Sequence, residues 1–208
     1  MIEINHIAQS CEQLKLTGIL QSYQSIATEC CKTQASYTEY LSLLLQQEIL
    51  MRESRSQATI LQLAKLPVLK NLQQFDFSAS AVNEMEIQEL ANLQFIANKE
   101  NIIFIGSPGT GKTHLAISLA YLATRKRLSV KFMTVADLIL QMETAISQSR
   151  LKSYFNKVIT IPSLIVLDEF GYMKLNEQQA NFMFQIINKR YETGAIIITS
   201  NLTFSQWK

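Results

Sequence analysis

The sequence of 208 residues predicts an α/β fold, in which a helical N-terminal region precedes a parallel sheet that is covered by helices. Three observations predict this fold. Apolar residues recur at helical spacing through residues 5–66, short apolar runs alternate with helical segments after residue 101, and the run Leu164–Leu167 is wholly apolar. A run of that kind is typical of a strand that is buried on both faces. The 48% hydrophobic content also excludes a disordered chain, because it suffices for a core.

The N-terminal region is expected to contain two helices. The first carries a loose apolar stripe over residues 14–26. Ser36 and Glu39 then stand at the spacing of a capping box, and Pro67 is expected to end the second helix. An antiparallel helical pair or a helical arm is expected. It is either a packing module without chemistry or a docking surface for a partner.

The predicted domains are residues 1–74, a linker strap at 75–82, and residues 83–208. The strap lacks clear periodicity, and Phe75 and Phe77 lie two positions apart, so an extended segment points both rings to one side. Both rings are expected to anchor the strap to the domain that follows.

The second domain is predicted to alternate strands and helices, which gives a parallel sheet with helices on both sides. Asn83 and Glu86 mark a first helix start, Asn176 and Gln179 mark another, and Gly194 is expected to end the latter helix in a left-handed cap. The remaining elements are strands at 102–105, 130–134, 164–167 and 195–199 and helices at 112–125, 136–146 and 151–158.

The strongest signal is a phosphate loop of the form GxxxxGK[ST], which follows a strand and opens a helix. The glycines let backbone N–H groups approach phosphate oxygens, and the helix N-terminus adds positive potential. The candidate nucleotide contacts are Gly106, Ser107, Pro108, Gly109, Thr110, Gly111, Lys112, Thr113 and His114. Lys112 can reach the β- and γ-phosphates and Thr113 can ligate Mg²⁺, whereas His114 is expected to pack or cap rather than catalyse. Contact of the strap rings with a nucleotide base is the alternative to plain anchoring.

Polar residues follow two of the buried strands. Asp168 and Glu169 come directly after Leu164–Leu167, about 55 residues beyond the loop. Asp168 is expected to reach Mg²⁺ through water, and Glu169 to accept a proton from the attacking water, which favours a hydrolase over a small-molecule kinase. Asn201 follows the last strand and can aim a hydrogen bond at the water or the γ-phosphate; a plain turn residue is the alternative.

The chain resembles the IstB-like family in four segments, GSPGTGKTHLA, LIVLDEFGYM, NKRYETGAIIITSN and LTFSQW. Members of this family are AAA+ ATPases that assist an insertion-sequence transposase, and they are similar to DnaC-like helicase loaders. The resemblance implies ATP and Mg²⁺ as cofactors, ATP-dependent homo-oligomerisation on double-stranded DNA without sequence preference, and a transposase partner. It implies an AAA+ sheet whose first strand lies between the fourth and a fifth. Lys112 and Thr113 then match Walker A, Asp168 and Glu169 match Walker B, and Asn201 matches sensor 1.

The family pattern continues beyond the tryptophan that matches Trp207, with a fifth strand and two arginines. Because this sequence stops at Lys208, the last strand and the C-terminal elements are expected to be missing, and the edge of strand 102–105 to be unpaired. Arg190 is expected to be a helix-surface residue. An arginine finger contributes roughly 10³–10⁵ in rate, so weak ATP hydrolysis is expected. The alternatives to a transposition ATPase are a DnaC-like helicase loader and a truncated remnant that binds ATP but barely hydrolyses it.

Charge divides the chain. Residues 1–100 hold 7 basic and 11 acidic side chains, and residues 101–208 hold 12 and 6, so the second half is the one expected to face an anion. Two clusters, Arg125–Arg127 and Arg150 with Lys152 and Lys157, are candidates for DNA phosphates, with solvated helix ends as the alternative.

Other classes are disfavoured. The sequence contains no stretch of 18 apolar residues and no secretory signal. A cytoplasmic location is therefore expected, and a membrane partner is not. Three cysteines without metal spacing and two histidines make a zinc site unexpected.

Overall fold

A computed structural model describes residues 2–207, with side chains from His6 onward. Within residues 2–207 the chain forms two compact units, which divide between Thr59 and Ile60. Of the predicted domain boundaries, the one at residue 74 lies within the second unit, and the boundaries themselves stay a prediction. No helix in residues 2–207 is both long and apolar enough to cross a membrane.

The described part of the first unit contains three helices, whereas the sequence predicted two. They are α1 (Ile2–Gln13), α2 (Thr17–Thr33) and α3 (Tyr37–Ala64), the last of which passes into the second unit. The Ser36 hydroxyl accepts the N–H of Glu39 at 3.2 Å, as the capping-box spacing predicted. Ile26, Cys30 and Leu44 form the buried centre of this unit.

Helix α2 is capped by a residue of α3 rather than by its own N-cap, Leu16, whose side chain makes no capping bond. The Glu48 carboxylate accepts the N–H of Gly18 at 2.7 Å and that of Ile19 at 3.3 Å, and it pairs with Arg52 at 2.8 Å. The Arg52 bond lowers the pKa of Glu48, burial opposes that shift, and the two amides lower it further. Gly18 permits the approach, since a Cβ there would lie 2.7 Å from the Gln47 carbonyl oxygen.

The second unit contains the predicted alternation of strands and helices. Its helices are α4 (Glu84–Ala91), α5 (Gln94–Ala97), α6 (Lys112–Arg125), α7 (Val135–Ser147), α8 (Leu151–Tyr154) and α9 (Glu177–Arg190). Its strands are β1 (Ile102–Ile105), β2 (Val130–Thr134), β3 (Leu164–Asp168) and β4 (Ala195–Ser200). The predicted helix 151–158 becomes α8 followed by a π-helical turn at Phe155–Thr160. The side chains of Asn83 and Asn176 cap α4 and α9 as predicted.

The four strands form a parallel sheet in the order β1-β4-β3-β2. Residues 164 and 166 of β3 face α6, in the cluster with Ala116, Leu119 and Ala120. Residues 165 and 167 face the other side, where α7 and α9 supply Leu138, Met142 and Ile186. Helices therefore cover both faces, and β1 is an edge strand among the described strands, as the sequence predicted.

The strap, residues 75–82, packs within the second unit. Phe75 and Phe77 meet at 4.8 Å between ring centroids, and both join a cluster with Leu72, Ile87 and Leu115. The anchoring role predicted for the two rings is thus confirmed.

Two predictions at the end of α9 are wrong. Arg190 is not a surface residue but is 1% exposed. Its guanidinium donates to the carbonyl groups of Ile159, Pro162, Ser163 and Ala195. Burial lowers its pKa to about 10. Gly194 is not a left-handed cap, because the positive φ belongs to Glu192; a Cβ at Gly194 would instead collide with the guanidinium.

Candidate functional site

The phosphate loop, Gly106–Thr113, turns from the end of β1 into α6. Gly109 and Gly111 have φ of +82° and +86°, which the absence of a Cβ makes accessible. The Lys112 ammonium donates to the Ser107 carbonyl at 2.8 Å, and the Thr110 hydroxyl donates to the same oxygen at 2.9 Å. The lysine therefore lies across its own loop, where its charge can meet phosphate oxygens.

Thr113 and Asp168 are brought into direct contact. The Thr113 hydroxyl, in the first turn of α6, donates to Asp168 Oδ1 at 2.8 Å across 55 residues of sequence. Asp168 ends β3 and is 6% exposed. A hydroxyl and a carboxylate side by side are the hard oxygen donors that Mg²⁺ takes together with waters and phosphate oxygens, so these residues fit the metal.

Lys112 and Asp168 also interact electrostatically. Partial burial lowers the pKa of Lys112, and the charge of Asp168 raises it in opposition. The negative charge of Asp168 therefore favours the charged form of the Lys112 ammonium at the mouth of the loop.

Glu169 and Asn201 lie at the carboxyl ends of neighbouring strands, at the same edge of the sheet as the phosphate loop. Both side chains are exposed. Neither makes a side-chain hydrogen bond or ion pair within residues 6–207, which leaves the carboxylate and the amide available to a substrate or water. Their roles stay predictions.

Thr199 is a functional candidate that was missed from the sequence. It is 2% exposed, its hydroxyl donates to Asp168 Oδ1, and the Glu169 N–H donates to that hydroxyl at 3.1 Å. The available signal was a hydroxyl residue ending an apolar strand next to a strand that ends in an acid. Neighbouring Ser200 has a different task, since its hydroxyl donates to the Phe170 carbonyl at 2.7 Å and accepts the Trp207 indole N–H at 3.1 Å.

The strap reaches the phosphate loop through Phe75. A Cβ on Gly111 would collide with the Phe75 ring, so the ring lies directly on the loop backbone. His114 packs edge-on against Phe75 at 5.3 Å between centroids and bonds the Asn71 carbonyl at 3.1 Å. This is the packing role expected for its side chain, while its contact with nucleotide stays a prediction.

A cavity of about 280 Å³ opens between strap residues 79–82 and the loop residues Gly106, Thr110 and Lys112. Phe104 and Leu115 add apolar walls. Such a cavity suits a nucleotide, because the apolar walls can contact the flat face of the base and the cation can contact the phosphates.

Comparison with known proteins identifies the family of the chain. A family model described as IstB-like ATP binding protein matches residues 9–208. A protein of insertion sequence IS5376 from Geobacillus stearothermophilus, named for ATP binding, is 39% identical over 202 residues, which are 97% of this chain and 80% of that protein. A similarly named protein of insertion sequence IS21 from Pseudomonas aeruginosa is 36% identical over 196 residues, 94% of this chain and 74% of that protein.

Solved structures with a similar fold include replication proteins. The crystal structure of the DnaC helicase loader matches with a TM-score of 0.55 and 25% identity, over 64% of this chain and 77% of that one. The AMPPCP-bound DnaA from Aquifex aeolicus matches with a TM-score of 0.60 and 22% identity, over 69% of this chain and 45% of that one. The α/β fold is thus that of the AAA+ domains in these proteins, as predicted.

Proposed function

The chain belongs to the family of IstB-like ATP-binding proteins of insertion sequences, and from this premise we propose that it is an Mg²⁺-dependent ATPase that assists a transposase. The observation that carries the hydrolytic part is the contact between Thr113 and Asp168, with the exposed carboxylate of Glu169 one residue further along. That arrangement brings the phosphate loop, the metal ligands and the general base together at one edge of the sheet.

Each residue has a distinct task in the proposed reaction. Backbone N–H groups of the phosphate loop and the Lys112 ammonium hold the phosphates of ATP, while Thr113 and Asp168 hold Mg²⁺. When bound, the metal offsets phosphate charge and polarises the phosphoryl oxygens. Glu169 accepts the proton of the attacking water, and Asn201 orients that water by hydrogen bonding.

Phosphate release by the purified chain tests the hydrolase. Glu169→Gln is expected to lower kcat by about 10²–10⁴-fold, the usual range for a general base, with nucleotide affinity nearly unchanged. Lys112→Ala is expected to lose nucleotide affinity instead. Glu177→Gln, an exposed carboxylate in the first turn of α9, is the matched control. Wild-type turnover no higher than that of Glu169→Gln, with and without DNA, refutes the hydrolase.

The partner DNA is proposed to contact a basic groove at α8 and α9. Arg150, Lys152 and Lys189 line a cleft of about 830 Å³ together with Ser149, Asn156 and Gln185, and Lys157 lines an adjoining one. Within residues 6–207 no carboxylate forms an ion pair with these cations. Arg150 donates to the Gln148 side-chain oxygen, and in the other basic cluster Lys126 bonds the Asn92 carbonyl at 3.0 Å. Cations that have no carboxylate partner and lie among amide and hydroxyl groups favour backbone phosphates without sequence preference.

Fluorescence anisotropy with a labelled duplex tests this face. The double variant Lys152→Ala/Lys189→Ala is expected to weaken binding and to reduce the slope of log K against log salt by up to about 1.8, at about 0.9 per lost phosphate contact. Lys32→Ala, an exposed lysine of the first unit, is the control. An unchanged affinity and salt slope in the double variant places the DNA elsewhere.

A helicase loader is the second candidate, and the similarity to the DnaC structure favours it. The two functions differ in partner, so co-purification separates them. A transposition helper is expected to form an ATP-dependent complex with its transposase and to oligomerise with ATP and DNA in size-exclusion chromatography. A loader is expected to retain a replicative helicase through the helical first unit.

A further inference from the structure

The Thr199 hydroxyl bridges the two acidic positions of the site. It lies near the end of β4, is 2% exposed, and contacts both the Asp168 carboxylate and the Glu169 N–H. The directions are fixed by chemistry, since an N–H can only donate and a hydroxyl has one proton. Thr199 therefore accepts from Glu169 and gives its proton to Asp168.

Both donors to Asp168 fall on one oxygen. The hydroxyl groups of Thr113 and Thr199 both donate to Oδ1, and they come from different elements, the first turn of α6 and β4. The carboxylate is thereby held in one rotation, and Oδ2, which accepts no hydrogen bond within residues 6–207, is the oxygen that would be available to Mg²⁺ or to one of its waters. Outer partners of this kind orient a metal-ligating side chain, and losing one of them weakens metal binding.

The same threonine holds the turn that carries Glu169. Glu169 has φ of +61°, a conformation that non-glycine residues adopt only where surrounding contacts stabilise it. Its N–H is bound by the Thr199 hydroxyl, and the N–H of Phe170 is bound by the Thr199 carbonyl at 2.8 Å. Two successive amides of the turn are thus tied to one residue of the neighbouring strand.

We propose that Thr199 is a positioning residue that orients Asp168 toward Mg²⁺ and fixes the exit of Glu169 from β3. The inference rests on the proposed ATP and Mg²⁺ site. Thr199 touches neither substrate nor metal in this role; it acts through the two acidic residues.

Thr199→Val tests the proposal, because valine keeps the shape and removes the hydroxyl. The half-saturating Mg²⁺ concentration is measured by titrating Mg²⁺ into the protein with a fluorescent ADP analogue, a readout that needs no turnover. Thr199→Val is expected to raise it by about 10–100-fold, the usual effect of losing an outer-shell partner. Affinity for the analogue in EDTA is expected to stay within about twofold, because the phosphate loop is untouched. Thr199→Ser is expected to restore the wild-type value.

Thr124→Val is the matched control, since Thr124 is 1% exposed and its hydroxyl bonds the Tyr121 carbonyl at 2.7 Å, away from the acids. If Thr199 were purely structural, both valine variants would have a lower melting temperature but the Mg²⁺ half-saturation of wild type. That result would overturn the proposal. Failure of Thr199→Ser to restore Mg²⁺ binding overturns it as well. If the valine variant does not fold, Thr199→Ala is measured with the same expectations.

The outcomes separate this inference from the proposed function. Wild-type protein that binds the analogue with Mg²⁺ but shows no turnover refutes the hydrolase and leaves the Thr199 test intact. Wild-type protein whose nucleotide affinity does not respond to Mg²⁺ refutes the metal site and the positioning role together.

Discussion

Replacing Arg190 by methionine is expected to destabilise the second unit by about 3 kcal/mol. The guanidinium donates to the carbonyl groups of Ile159, Pro162, Ser163 and Ala195. The Ser163 carbonyl also accepts the N–H of Ala195 at 3.1 Å, so it keeps a partner. All four carbonyls lose a bond, but only the three other than Ser163 are counted, at roughly 1–1.5 kcal/mol each, and relief of the buried cation returns part of that sum.

Urea unfolding followed by the fluorescence of Trp207 measures the effect, because Trp207 is the single tryptophan and packs on Phe170 at 4.5 Å. With an m-value of about 2–3 kcal/mol per molar urea, the midpoint is expected to fall by about 1–1.5 M. Lys189→Met, an exposed neighbour on α9, is expected to shift it by less than about 0.3 M. A midpoint for Arg190→Met equal to that of wild type would show that desolvation of the cation cancels its bonds, and would refute the reasoning.

Other predictions concern the contacts around the loop and the first unit. Glu48→Ala is expected to lower the free energy of unfolding by about 1–2 kcal/mol through loss of the α2 cap. Because the folded-state pKa of Glu48 is lowered, wild type should lose this extra stability as the pH falls below about 4. The difference in urea midpoint between wild type and variant should therefore shrink from pH 7 to pH 3. Phe75→Ala is expected to cost about 2 kcal/mol in thermal unfolding and to weaken nucleotide binding, with exposed Phe184→Ala as control. Gly111→Ala is expected to weaken binding more than Gly109→Ala, because only position 111 adds a clash with Phe75 to the strain of positive φ; equal losses in a nucleotide titration contradict this.

Sequence reasoning succeeded where spacing determines structure. The phosphate loop, the acids at the end of β3 and the caps at Asn83 and Asn176 depend on neighbours within a few residues, so their pattern is visible in one dimension. The role of Thr199 was missed and the place of Arg190 was predicted wrongly, because the two partners of the Thr199 hydroxyl and three of the four partners of Arg190 lie about 30 residues away. Two cations at a helix end, Lys189 and Arg190, suggest a solvated pair that suits the helix dipole. In the structure the last turn instead directs Lys189 outward and Arg190 into the interior.

Arg190 of α9 and Thr199 of β4 are buried polar side chains that act at opposite ends of β4. Arg190 binds the Ala195 carbonyl where β4 begins, and Thr199 binds Asp168 where it ends. Because side chains alternate along a strand, a slip of one residue in the pairing of β4 with β3 would turn Thr199 away from Asp168. Arg190 therefore stabilises the unit in which β4 pairs with β3, whereas Thr199 sets the geometry of the acids themselves. It follows that Arg190→Met should change the fraction of folded protein and leave the Mg²⁺ half-saturation of that fraction unchanged, and Thr199→Val should do the reverse.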